Sequence, residues 1–166
     1  MAHGVIITEL YDVKDDARIR NAENPVDALD NGRAVTLSGL VDGERDLWTA
    51  AVATSASKAD ELWVVTTPEL IYDESKKYTI ADFYNGINDS ATEKVKMRVT
   101  KFVKDEIFGV TAEVLSEVPT TAKAYIAPSD ASGKGWTVSA TADGAYAKFI
   151  GTTVNDGLTY YSFVRV

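Results

Sequence analysis

His3 is the only histidine in the chain, and there is no cysteine. These two types supply most nucleophile–base pairs and most zinc ligands, so their scarcity limits the chemistry at once. A Ser-His-Asp device needs its base held against the nucleophile, and His3 lies beside a terminus that nothing in the sequence anchors. Cysteine nucleophiles are excluded, and one histidine without cysteine cannot complete the tetrahedral set of a structural zinc site. Asp12, Asp15 and Asp16, and again Asp42, Glu44 and Asp46, bring three carboxylates together. That chemistry suits calcium, but neither group has EF-hand spacing, and a solvated acidic turn accounts for both. Among 25 acidic residues some pair will always suggest a glycosidase, so the pairing carries no argument. Gly133-Lys134-Gly135 precedes an extended run, where a phosphate-cradling loop must open a helix. The expectation is a protein without cofactor or metal, and not an enzyme.

The aromatic residues allow two chemistries. Trp48, Trp63 and Trp136, with Tyr160, Tyr161 and Phe163, offer flat rings that stack on sugars, or they fill a core. The Leu, Val and Ala residues around each Trp favour the core. Tyr160 and Tyr161 must point to opposite faces of an extended chain, so one ring is expected near the surface as an interface candidate.

The elements that would position these groups are strands. Lys94, Lys96 and Arg98 alternate with Val95, Met97 and Val99, which puts the cations on one face of a strand and the apolar side chains on the other. After the short charged step Lys104-Asp105-Glu106, the β formers Ile107-Phe108-Gly109-Val110 resume, and the two runs together predict a hairpin. Asn31-Gly32, Asp42-Gly43, Asn85-Gly86, Asp143-Gly144 and Asp156-Gly157 punctuate further extended runs. Strands are expected over Val5–Leu10, Ala34–Leu40, Leu47–Ala53, Leu62–Thr66, Lys94–Val103, Ile107–Val110, Ala122–Ile126, Gly135–Thr141, Ala145–Val154 and Leu158–Val166, the last of them joined in a meander with Trp136–Thr141. Only short helical turns are signalled, over Asn24–Leu29, Ser57–Glu61 and Thr79–Tyr84. The fold class is therefore all-β, a mainly antiparallel sandwich or barrel with one or two short helical turns.

At 166 residues the chain is long enough for one well-buried core. Residues 1–20 read as an N-terminal arm or a first strand, 21–118 as the main β domain, and 119–166 as a C-terminal hairpin or meander layer packed upon it. Val5-Ile6-Ile7 is either a core strand or an arm that adds to a neighbour's sheet edge. A net charge of −8 disfavours a nucleic-acid partner. Five of the 17 basic residues fall between Lys94 and Lys104. They would form a rim for an acidic partner or simply a face in water. The lack of cysteine fits a reducing cytoplasm. The N-terminal residues have no basic n-region, and no apolar segment reaches bilayer length, so no membrane is expected.

Phe102-Val103-Lys104-Asp105-Glu106-Ile107-Phe108-Gly109-Val110-Thr111-Ala112-Glu113, with Trp63-Val64-Val65-Thr66-Thr67-Pro68-Glu69, Tyr72-Asp73-Glu74, Gly39-Leu40 and Gly43-Glu44-Arg45, resembles small tailed-phage head proteins encoded beside the major capsid protein. The resemblance runs from about Arg33 to Leu115. It implies a capsid decoration or cement protein, made in the bacterial host cytoplasm and carried on the virion surface. Its partner would be the major capsid protein, and a homo-oligomer, a trimer, is what the resemblance suggests. The alternative is a carbohydrate- or receptor-binding β module displayed on the particle. The candidate interface residues are Val5, Ile6, Ile7, Lys94, Lys96, Arg98, Tyr160 and Tyr161.

Overall fold

A β barrel and a β sheet share one core, and the barrel holds a second core of its own. A computed structural model describes residues 4, 6–8, 18–24, 29–67, 96–130, 134–155 and 157–166. The expected strand Val5–Leu10 is seen as β1 (Ile6–Thr8), and the turns expected over Asn24–Leu29 and Thr79–Tyr84 lie largely or wholly outside the described residues, as do Val5, Lys94 and Val95.

Five strands close into a barrel: β2 (Ile19–Glu23), β3 (Ala34–Leu40), β4 (Leu47–Val52), β5 (Leu62–Val65) and β6 (Met97–Thr100), in ring order β2-β4-β3-β5-β6. All pairs are antiparallel except β2 with β4. β1 joins β7 (Ile107–Val110), β8 (Tyr125–Pro128), β9 (Trp136–Ser139), β10 (Ala147–Asn155) and β11 (Leu158–Arg165) in an antiparallel six-stranded sheet of order β1-β7-β11-β10-β8-β9. Two short 3₁₀ turns, Ala59–Glu61 and Ala112–Val114, complete the all-β architecture.

Period-two geometry explains how the layers meet. In β3 and β5, Val35, Trp63 and Val65 turn into the barrel, while Ala34, Leu62 and Val64 turn outward against the sheet. Both faces of these strands are covered, so Leu62-Trp63-Val64-Val65 is a continuous apolar run. The shared core is aromatic. Phe108 stacks on Phe102 at 4.8 Å, Trp136 stacks on Tyr146 at 5.0 Å, and Phe163 lies 6.0 Å from Phe108. The Trp136 indole Nε1 donates to the Gly32 carbonyl at 2.6 Å. Gly32 holds φ 87° there, with Val110 Cγ1 3.0 Å from where a Cβ would stand, so turn and close packing both require glycine.

Four expectations are corrected. β6 and β7 do not form a hairpin but lie in different layers. Both edges of β6 are taken, by β2 and β5, and the buried Phe102 draws the connecting segment down onto Phe108. The charged step is a β-turn in which Asp105 holds φ 70°, the Glu106 N–H donates to the Val103 carbonyl at 3.2 Å, and the Asp105 N–H donates to the Arg165 carbonyl at 2.9 Å. Nor do β9, β10 and β11 form a meander, because β8 lies between β9 and β10. β2 (Ile19–Glu23) crosses the boundary expected at residue 20 and is not among the expected strands. Its side chains turning into the barrel are Ala22 and Arg20, an alternation without the apolar signature of a strand. The layers also do not divide at residue 118, since the sheet draws β1 and β7 from earlier in the chain.

Candidate interaction surfaces

Three surfaces carry the unusual side chains. The first is a ribbon. β10 and β11 pair from Ala147↔Arg165 to Asn155↔Leu158, with a bulge between Phe149 and Gly151. The neighbours of this pair are shorter: β8 meets β10 at Ala147 and Lys148, and β7 meets β11 from Tyr161 to Val164. Among the described residues, the distal half has no further strand neighbour. On it Val154 is 70% exposed and Ile150 50%, each a large apolar side chain facing water. The proximal part carries the packed rings Phe149 and Tyr161, 6.4 Å apart.

Register places two of the expected interface residues together. Ile6 pairs with Val110, and Val110 with Tyr161, so Ile6 and Tyr161 share a cross-strand row on the core-side face, and both are partly buried there. Ile7 pairs with Gly109 in the adjacent row. Tyr160 and Tyr161 do face opposite ways, but neither ring is fully exposed. Tyr160 is only 2% exposed and Tyr161 is partly buried, so any surface exposure of this pair is at Tyr161.

The second surface is cationic. Lys96 and Arg98 are exposed at β6, with Met97 and Val99 buried between and beyond them, as alternation requires. The Lys96 ammonium lies 3.7 Å from Glu44 Oε1, an exposed pair of small energetic weight. Ile6 and Tyr161 lie in the sheet and Lys96 and Arg98 in the barrel, so the expected site residues fall on two separate surfaces rather than one.

The third surface is one mouth of the barrel, which sequence reasoning did not single out. The Arg20 guanidinium sits 5.9 Å from the ring centroids of both Trp48 and Trp63, and the Lys101 ammonium lies 5.8 Å from Trp63. Cations over the indole faces close the barrel end where an apolar plug would be expected. Beside them a cleft of about 290 Å³ is lined by Leu40, Arg45, Asp46, Trp48 and Arg20. Trp48 and Trp63 are partly buried and pack against the barrel core, whereas Trp136 is fully buried. The legible signal was Arg20 at an inward position, visible only once β2 is known to be a strand.

Among the described residues no group of three or more His, Cys, Asp or Glu side chains is placed to hold a metal ion, and no helix is long and apolar enough to cross a membrane. Asp42, Glu44 and Asp46 are exposed, with Asp46 Oδ2 accepting from Asn21 Nδ2 at 3.3 Å. Gly133-Lys134-Gly135 leads into β9, and the Lys134 ammonium donates to the Glu113 carbonyl at 3.0 Å. Comparison with family models, curated proteins and solved structures gives no match to this chain.

Proposed function

We infer that this chain is a virion structural protein, a decoration or cement protein that binds the outside of an assembled phage head and stabilises it. The observation that carries the reading is the exposure of Val154 and Ile150 on β10, large apolar side chains that suit attachment to another protein surface. The resemblance from Arg33 to Leu115 supplies the kind of partner, the major capsid protein. The mechanism is mass action: a ligand bound only by the assembled shell stabilises it by its binding free energy, and many copies on a symmetric lattice add avidity if the module is oligomeric. Lys96 and Arg98 serve as a polar rim in this reading, steering encounter more than setting affinity.

The test is co-sedimentation of the purified chain with empty capsids. Saturable binding at a fixed ratio to the capsid protein is expected, and an unbound chain at near-saturating concentration rejects the reading.

The barrel mouth favours a second reading, a carbohydrate- or receptor-binding module. The cleft beside Trp48 offers an aromatic edge with Arg45 and Asp46 as polar partners, the mix that sugar sites use. Loss of glycan binding on Trp48→Ala, with capsid binding kept, would assign the cleft to that role.

A further inference from the structure

The cleft at the barrel mouth joins three kinds of surface, and the backbone fixes where each one stands. Leu40 pairs with Trp48 across β3 and β4, and on the other side of β4 runs β2, with Asn21 opposite Leu47 and Ala22 opposite Trp48. Beyond Leu40 the β3–β4 connection is held by its own hydrogen bonds. The Val41 N–H donates to the Leu47 carbonyl at 2.8 Å, the Glu44 N–H donates to the Val41 carbonyl at 3.0 Å, and Gly43 takes φ 81° at the turn. Arg45 and Asp46 are thereby set on the cleft wall beside Leu40, Trp48, Arg20 and Asn21. Leu40 is 50% exposed and Trp48 is partly buried, so part of that wall is apolar surface open to water.

Each wall asks for a different group on one ligand. Arg45 is exposed and makes no ion pair among the described residues, so its planar fork is available to an anionic oxygen pair. Asp46 stands next to it. Its Oδ2 accepts from Asn21 Nδ2 at 3.3 Å, and its remaining lone pairs accept from hydroxyl groups. That carboxylate repels a bare anion such as phosphate and rewards only a ligand that brings hydroxyl donors together with its negative charge. Leu40 and Trp48 suit the C–H face of a sugar ring, and the Arg20 guanidinium, 5.9 Å from the Trp48 centroid, holds the indole in place.

We propose that this cleft binds a carboxylated sugar, a hexuronate, with its carboxylate on Arg45, its hydroxyls on Asp46 and Asn21, and its ring against Leu40 and Trp48. The proposal rests on the carbohydrate reading of the barrel mouth and adds the class of sugar. At about 290 Å³ the cleft lies just below the range of about 300–1,000 Å³ usual for ligand pockets, which gives room for a single ring.

The experiment titrates the full chain with sodium glucuronate, its uncharged methyl ester, glucose and inorganic phosphate, and follows backbone amide shifts by NMR. Glucuronate is expected to move the amides from Leu40 to Trp48 saturably, and the ester and glucose to bind about tenfold more weakly for want of one charge-assisted pair. Arg45→Gln, at an exposed position, is expected to bring glucuronate down to the affinity of its ester with far-UV dichroism unchanged. Asp46→Asn is expected to narrow the gap between glucuronate and phosphate. Glucose or the ester binding as tightly as glucuronate, a preference for glucuronate that survives Arg45→Gln, or a gap to phosphate unchanged in Asp46→Asn would each overturn the proposal while leaving the carbohydrate reading in place. Phosphate binding as tightly as glucuronate would overturn it by showing a plain anion site. The absence of any shift with all three sugars would overturn the proposal and the carbohydrate reading together.

Discussion

The guanidinium carbon of Arg165 lies 4.4 Å from the centroid of the Tyr146 ring, and the same side chain donates from Nη1 to the Tyr146 carbonyl at 3.0 Å and from Nη2 to the Ala59 carbonyl at 3.3 Å. One residue of the last strand thus ties the aromatic core to the 3₁₀ turn before β5. Arg18 and Glu106 extend the join, since their side chains are ion-paired and Glu106 Oε2 accepts the Val103 N–H at 2.8 Å. This seam holds barrel to sheet together with the contacts of Trp136 with the Gly32 carbonyl and of Ser55 with Asp130.

Replacing Arg165 by Met keeps the apolar stem and removes the fork. The loss of a partly desolvated cation–π contact and of carbonyl partners is expected to cost about 2–4 kcal/mol. Denaturant unfolding with an unchanged m-value checks it, and a midpoint equal to that of the parent would show the seam to be energetically idle.

Burial raises the Tyr146 hydroxyl well above its ordinary value, with Arg165 opposing the shift. A raised folded value means that the stabilising contribution is complete below the unfolded value of about 10 and is lost as pH climbs from there toward the folded one. Stability is therefore expected to fall above pH 10, and Tyr146→Phe should flatten that alkaline limb. Urea midpoints measured from pH 8 to 11 for both proteins read the difference.

Asp130 behaves in the opposite sense. Its carboxylate accepts the Ser55 hydroxyl at 2.5 Å and the Ser55 N–H at 2.8 Å, which hold it below the ordinary 3.8. A lowered folded value gives a contribution present above the unfolded value and lost as pH falls through the folded one. Ser55→Ala is expected to move the Asp130 titration upward in a carboxyl-carbon NMR experiment. An unmoved titration would remove Ser55 as the cause.

Charge reversal at Lys96 and Arg98 is expected to change stability by less than about 0.5 kcal/mol, because both side chains are exposed. If the face is an interface rim, the double Glu variant loses capsid affinity most at low salt, and the loss shrinks as salt rises. Salt-independent capsid binding identical to that of the parent would leave this face to solvent.

Alternation and turn dipeptides were enough to assign an all-β chain, because a side chain's face in a strand follows from sequence parity alone. They located β3, β4, β5, β7 and β11 closely, and they brought out Lys96 and Arg98 as an exposed pair. Three things were left to the tertiary structure: that β6 and β7 part into different layers, that β8 slips between β9 and β10, and that Arg20 lies inward over Trp48 and Trp63. The reason is physical. Strand neighbours are chosen by backbone N–H and C=O groups that are alike at nearly every residue, so the selection rests on which side chains pack from distant parts of the chain, and only the assembled core, with Trp136 on the Gly32 carbonyl and Phe102 on Phe108, decides that.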